Sequence, residues 1–257
     1  MTQPIEISII IPAYNEADNI MPVLKDTIAT LDESPLAGRY ELLLIDDGST
    51  DGSRAVADGA GQQFARLRVF HHERNEGLGE GLKTGYRNSR GTYVTFLPAD
   101  GEVKADQVLR LYGDLDRADM MTSSRLGYLD GSVIRKRGLF RGVLSWGFRL
   151  CIRVILGANP EKLTGIYIVR GDIVRALPLH ARTALVSLEI YLHCLYSGCK
   201  MKHGATTICP RLSGVSKIAN ASGIWKSFWE MIQLRRQIRQ QIRQQAPQVA
   251  DTLKGAA

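Results

Sequence analysis

Four short apolar runs constrain the fold more than any other feature. ISIIIPAYN (7–15), YELLLIDDGS (40–49), LRVFHHERN (67–75) and TYVTFLPAD (92–100) place apolar residues side by side instead of in alternation. A strand of that kind is buried on both faces, which requires helices above and below the sheet and therefore parallel strands. The segments between them suit that role. ADNIMPVLKDTIATLDE sets Ile20, Val23, Leu24 and Ile28 on one side of a helix. DGSRAVADGAGQQFA reads as a second helix opened by an Asp/Ser cap, and EGLGEGLKTGYRNSR as a third. The expectation is an α/β domain with a mostly parallel sheet and helices on both faces.

A sheet of this type opens its ligand crevice at the carboxyl ends of its strands. The segments there are PAYNE (12–16), DDGSTD (46–51), NEGLGEG (75–81) and PADGE (98–102). Three of them carry acids as soon as the apolar run ends, so Glu16, Asp46, Asp47, Asp100 and Glu102 are expected on one rim. A dinucleotide site would need GxGxxG after the first strand, and the chain has PAYNEADN there, with no Walker A sequence elsewhere. Gly77 and Gly79 are expected instead to let the third helix pack closely. Carboxylates hold hard divalent cations such as Mg²⁺ or Mn²⁺, which keep positions open for phosphate oxygens. Asp100 and Glu102 would face one ion together if the backbone stays extended past Ala99. The competing reading is an Asp-Gly turn with a surface glutamate.

Charge and hydropathy bear on the second half. The formal net charge is +7, and from Arg125 onward bases dominate, with clusters at Arg135–Lys136–Arg137 and Arg235–Arg236. Nucleic acid, anionic lipid and phosphate-bearing substrates all fit that bias. Cys151, Cys194, Cys199 and Cys209 form no CxxC pair, which points to reduced thiols in a cytosolic protein. The N-terminal MTQPIEISIIIP has no basic leader, and no run reaches the roughly 18 apolar residues of a membrane span. Two basic amphipathic stretches stand out. In 135–157, Leu139, Val143, Trp146, Leu150 and Val154 form a stripe, with Arg137, Arg141, Arg149 and Arg153 off it. In 222–245, Trp225, Trp229 and Ile232 share a face that continues as Arg236, Arg239 and Arg243. Such helices lie in a membrane interface or pack on the sheet with solvated arginines.

Taken together, IIIPAYNE, LLIDDGSTDGS, RNEGLGEGLKTG and the PADGE position resemble the nucleotide-sugar domain of family 2 glycosyltransferases, which have the GT-A fold. LTGIYIVRGDIV (163–174), SLEIYL (187–192) and RLSGVSK (211–217) are similar to those of dolichol-phosphate mannose synthase and other polyprenyl-phosphate glycosyltransferases, and the likeness runs over residues 5 to 235. The resemblance implies a catalytic domain over 1–218 with 135–157 as an acceptor-facing insertion, an interfacial helix over 219–245, and a disordered tail over 246–257. It implies that Pro12, Tyr14, Glu16 and Asp47 line the nucleotide pocket, that Asp100 and Glu102 hold Mg²⁺ or Mn²⁺, and that Arg211, Ser216 and Lys217 meet the diphosphate. Three positions depart from the family pattern. Pro98 replaces the first acid of the aspartate-rich motif, and Lys162 and Ile168 flank the LTG segment where an acid and an arginine are usual, which leaves the sugar open.

The implied acceptor is an undecaprenyl or dolichyl phosphate at the cytosolic membrane face, and a membrane-spanning partner subunit is compatible with it; nucleic acid is not an expected partner. A lipid phosphate is already ionised and attacks C1 without a general base, in one inverting displacement. It needs cations to hold it beside an anionic sugar donor, and Arg125 and Arg137 are the candidates. A metal at Asp100 would stabilise the leaving diphosphate as a Lewis acid. One rival is a glycan hydroxyl acceptor, which requires a base, and Glu189 is the acid to nominate for it. A processive polysaccharide synthase is disfavoured because no Q-x-x-R-W segment is present. The other rival, suggested by Pro98, is a non-catalytic module that binds nucleotide sugar or anionic lipid.

Overall fold

The computed structural model describes residues 4–128, 147, 149–210 and 229–237 of the 257-residue chain. Its first half alternates strictly: β1 (Ile7–Ala13), α1 (Ala17–Asp32), β2 (Tyr40–Asp46), α2 (Ser53–Gln63), β3 (Leu67–His71), α3 (Leu78–Asn88), β4 (Tyr93–Phe96) and α4 (Ala105–Gly113). Then come β5 (Met120–Tyr128), a π-helical turn (Ile152–Leu156), a 3₁₀ turn (Pro160–Leu163), β6 (Ile168–Arg170), α5 (Gly171–Ala176), α6 (Leu185–Tyr196) and β7 (Met201–Ile208). A last helical segment occupies 229–237.

The strands form one seven-stranded sheet in the order β3-β2-β1-β4-β6-β5-β7. β1 pairs in parallel with β2 and β4, β2 with β3, and β5 with β7, while β6 runs antiparallel between β4 and β5. The mostly parallel expectation therefore holds, with β6 as the exception.

The continuous apolar runs do what two-sided burial requires. Ile7, Ile9 and Ile11 point into one core with Leu42 and Leu44, under α1, α2 and α4. Ile10, Leu43 and Ile45 point into the other core, with Leu82 and Tyr86 of α3 and Val186 and Ile190 of α6. Each such side chain contributes roughly 1.5–3 kcal/mol of transfer free energy, so both layers are held strongly to the sheet. The second core also takes in Ile152 and Leu156 of the π-helical turn and Met231 and Leu234 of the 229–237 helix. A hydrogen bond between the buried Tyr86 and Tyr167 hydroxyls satisfies the polar ends of two rings inside it.

Two local expectations are corrected. No side-chain cap opens α2: Gly52 is the N-cap, and Asp51 Oδ1 instead accepts the Ser53 N–H at 2.9 Å from one residue further out. β4 ends at Phe96, and the chain is not extended past Ala99. There Gly101 N–H reaches Pro98 O at 3.4 Å and Glu102 N–H donates to Asp100 Oδ1 at 3.0 Å, closing a turn.

Candidate active site

The carboxyl ends of β1 and β2 are sewn together by side chains that accept backbone N–H groups. Asn15, with a positive φ of 54°, donates its N–H to Ser49 Oγ at 2.9 Å, and its Oδ1 accepts the Thr50 N–H at 2.8 Å. Glu16 N–H donates to Ser53 Oγ at 2.8 Å, and Glu16 Oε2 accepts from Asn19 Nδ2 at 2.6 Å at the start of α1. Gly48 could be no other residue: its φ is +66°, and a Cβ there would lie 2.3 Å from the Arg74 carbonyl carbon.

Parallel pairing of β2 with β3 sets Asp46 beside His71. Asp46 is fully buried; its Oδ1 accepts the Ser49 N–H at 3.0 Å and its Oδ2 meets His71 Nδ1 at 2.9 Å. Burial alone would raise the Asp46 pKa, but the hydrogen bonds from Ser49 and His71 outweigh it and hold the carboxyl below its ordinary value. His71 Nε2 reaches Asp58 Oδ1 at 3.0 Å. One residue on, the pattern repeats with different partners. Asp47 Oδ1 meets His72 Nδ1 at 2.7 Å and the Glu76 N–H at 2.9 Å, and its Oδ2 accepts the Gly77 N–H at 2.8 Å. His72 Nε2 meets Thr84 Oγ1 at 2.9 Å. The consecutive acids thus fix the 71–77 segment, which leads into α3.

On the other side of β1 lies the turn at Asp100–Glu102. Glu102 Oε2 faces Arg125 Nη1 of β5 at 3.7 Å, and the Arg125 N–H donates to Thr164 Oγ1 of the LTG segment at 2.8 Å. The Glu102 carbonyl accepts the Cys209 N–H at 2.8 Å, two residues before the segment that begins at Arg211. Asp100, Glu102, Arg125, Thr164 and the exit of β7 therefore meet at one place.

The model of the family described as glycosyl transferase family 2 matches residues 8–174, from within β1 to within α5, which takes in Glu16, Asp47, Asp100, Glu102, Arg125 and Thr164. The chain belongs to glycosyl transferase family 2. An undecaprenyl-phosphate mannosyltransferase of Micrococcus luteus is 31% identical over 67% of this chain and 69% of its own length. A dolichyl-phosphate beta-glucosyltransferase of Saccharomyces cerevisiae is 27% identical over 74% of this chain, and a dodecaprenyl-phosphate galacturonate synthase of Rhizobium johnstonii 26% over 64%. The chain spans 59% and 45% of the lengths of those last two relatives. Among solved structures, glucosyl-3-phosphoglycerate synthase from Mycobacterium tuberculosis, crystallised with Mn²⁺, uridine diphosphate and glucosyl-3-phosphoglycerate, superposes with a TM-score of 0.63 at 19% identity. That alignment covers 90% of this chain and 79% of the other, and it shows the shared GT-A fold.

As a family 2 glycosyltransferase, the chain keeps its sequence-predicted residues in two groups. Pro12 and Tyr14, at the end of β1, stand with Glu16 and Asp47 on the β1–β2 side. Asp100, Glu102 and Arg125 form the second group. Arg137, Arg211, Ser216 and Lys217 lie outside the described residues, as do Trp225 and Phe228. Glu189 is not an open acid. It is 1% exposed on α6, and its carboxylate accepts the His180 N–H at 3.0 Å and the Ala181 N–H at 2.9 Å, so it pins the loop before α6. The expected interfacial helix is described only over 229–237. Met231 and Leu234 turn inward to the second core, whereas Trp229 is 51% exposed.

Sequence reasoning missed Ser49, Ser53, His71 and His72. The His-His pair was findable: it ends the third apolar run as Asp46–Asp47 ends the second, and parallel register sets one pair beside the other. Gly79 performs the close packing expected of it. A Cβ there would lie 2.4 Å from the Arg182 carbonyl carbon, and the Gly79 N–H donates to Arg182 O at 2.8 Å.

Proposed function

We propose that this glycosyltransferase transfers a sugar from a nucleotide-sugar donor to a polyprenyl phosphate, inverting the anomeric centre. The observation that carries the acceptor reading is the contrast between Glu189 and Arg125. The acid that a hydroxyl acceptor would need as base is buried and bonded to backbone, while a half-exposed guanidinium stands beside the Asp100–Glu102 turn. A phosphate acceptor needs the second group and not the first. The named relatives support this reading, because three transferases or synthases with different sugars in their names all have a polyprenyl phosphate in them.

Asp100 and Glu102 suit Mg²⁺ or Mn²⁺ in their donor chemistry. They supply hard carboxylate oxygens on a partly exposed turn. Among the described residues no group of three or more His, Cys, Asp or Glu side chains gathers to hold an ion. A cation held there by one or two carboxylates would take its remaining ligands from water and substrate phosphate oxygens. Bound there, a divalent cation supplies Lewis-acid neutralisation of the leaving nucleoside diphosphate. Arg125 holds the acceptor phosphate next to the sugar donor and offsets the repulsion between two anions. Arg211, Ser216 and Lys217, which follow Cys209 in the chain, are assigned to the diphosphate, and Arg137 to the acceptor. Pro12, Tyr14 and Glu16 are assigned to the nucleotide, with Asp47 shaping the loop that closes on it.

No helix among the described residues is long and apolar enough to cross a membrane. Peripheral attachment at the cytosolic face is proposed through side chains that remain outside the cores: Leu150, Val154 and Trp229, which are 43%, 69% and 51% exposed beside Arg149, Arg153, Arg235 and Arg236. The catalytic domain is assigned to 1–218 and the interface segment to 219–245.

The test is a screen of nucleotide sugars with Mg²⁺ or Mn²⁺, following nucleoside diphosphate release with and without polyprenyl phosphate. Release that depends on the lipid phosphate is expected. Release that is indifferent to it, or none with any sugar, would overturn the assignment.

A further inference from the structure

The described part of the C-terminal segment is tied to the rim by one glutamate. Glu230 Oε1 accepts the Arg182 N–H at 3.1 Å, and its Oε2 accepts the Thr183 N–H at 3.2 Å and the Thr183 hydroxyl at 2.7 Å. The same turn presents its other side to α3. Arg182 O accepts the Gly79 N–H at 2.8 Å, and Cβ atoms at Gly77 and Gly79 would lie 2.9 Å and 2.4 Å from Arg182 backbone atoms. Arg182 Nε also approaches Glu80 Oε1 at 3.5 Å. Just before α3, the Glu76 and Gly77 N–H groups are held by Asp47. The 76–79 segment is thus gripped from one side by Asp47 and from the other by a backbone turn whose Arg182 and Thr183 N–H groups end on Glu230, while its Ala181 N–H ends on Glu189. The contact at Gly79 leaves no room for the turn to slide without moving α3.

We infer that Glu230 is a positioning residue for the sugar-donor pocket: by seating the 181–183 turn against Gly77 and Gly79, it sets the 76–79 segment that Asp47 holds from the opposite side. The inference rests on the proposed reading that Asp47 and its loop shape the nucleotide site. It gives the C-terminal helix a role distinct from covering the second core with Met231 and Leu234. Because coupling between two sites is reciprocal, seating of this helix and filling of the nucleotide pocket favour one another. A carboxylate suits the position, since it accepts three donors at once, whereas a carboxamide turns one of its two arms into a donor facing other donors.

The test is titration calorimetry of UDP and of GDP with MnCl₂ on the full chain, for wild type, Glu230→Gln, Thr183→Val, the double variant, and Thr183→Ser. Where wild type binds either nucleotide, Glu230→Gln and Thr183→Val should each weaken it by roughly five- to ten-fold. The double variant should be little weaker than the worse single one, and Thr183→Ser, which keeps the hydroxyl, should bind like wild type. In turnover, the sugar-donor KM should rise while the lipid-phosphate KM stays unchanged, a split that general loosening of the core would not produce. Equal nucleotide affinity in wild type and Glu230→Gln overturns this inference and leaves the proposed function standing. A wild type that binds neither nucleotide overturns the sugar-donor reading, and this inference with it.

Discussion

The two sides of the rim are built differently. On the β1–β2–β3 side, Asn15, Glu16, Asp46 and Asp47 each bond to a residue of another loop at the rim, and two aspartate–histidine pairs stand side by side. On the side of Asp100, Glu102 and Arg125, Glu102 approaches the Arg125 guanidinium at 3.7 Å and Asp100 accepts the Glu102 N–H at 3.0 Å. The difference teaches a division of labour. In the proposed function the first side takes the nucleotide, which is the same at every turnover, and its hydrogen bonds preorganise it for that. In the proposed function a lipid and a cation enter and leave on the other side, where the Arg125 guanidinium reaches solvent.

The largest effect expected from breaking this contrast is on the open side. Asp100→Ala should lower kcat by about 10²–10³-fold, the range for loss of one group that stabilises transition-state charge, with thermal stability within about 0.5 kcal/mol of wild type. Steady-state kinetics in Mg²⁺ and Mn²⁺ check this, and near-normal turnover would remove the metal from that turn. Glu102→Ala should lose less. On the preorganised side the order of effects reverses. Asp47→Ala removes the acceptor of the part-buried Glu76 and Gly77 N–H groups and of His72, and should lower the unfolding free energy by about 1–3 kcal/mol in chemical denaturation.

How legible this was follows from the same contrast. β1 to β4 were readable because burial on both faces writes itself as adjacent isoleucines and leucines. β5 was not: MMTSSRLGY looks like a polar loop, and its Ser123 is buried only because its hydroxyl donates to Ile166 O, a partner 43 residues away. β6, three residues long and antiparallel, carries too little pattern to find. The i, i+2 rule assumed an extended chain at Asp100 and Glu102, whereas the Asp-Gly turn of the competing reading joins them. Glu189 read as a rim acid because sequence shows its charge and not the two backbone N–H groups that occupy it. Arg125 was found through a family motif, and its neighbour Thr164 needed the fold.

Smaller effects sharpen the comparison. Asp46 has a folded pKa below its ordinary 3.8, so its contribution to stability is whole above that value and is lost as pH falls through the lower, folded pKa. Denaturation followed from pH 5 down to pH 3 should therefore decline more steeply in wild type than in Asp46→Asn; equal slopes would show that Ser49 and His71 do not stabilise the ionised acid. The smallest stability change is expected at an exposed tryptophan. Trp229→Ser should alter unfolding by less than about 0.5 kcal/mol yet weaken binding to anionic liposomes, because half of that ring is already in solvent. A variant that unfolds early and still sediments with liposomes would mean that Trp229 packs on the protein.

The central claim is that an ionised lipid phosphate takes the place of a general base at this rim. It is tested by offering polyprenyl phosphate and the matching polyprenyl alcohol in parallel, with the active nucleotide sugar and metal, and reading the products by mass spectrometry and the anomeric coupling by NMR. Sugar should appear on the phosphate alone, with its anomeric configuration inverted. Transfer to the alcohol at a comparable rate, or retention at C1, would contradict the account.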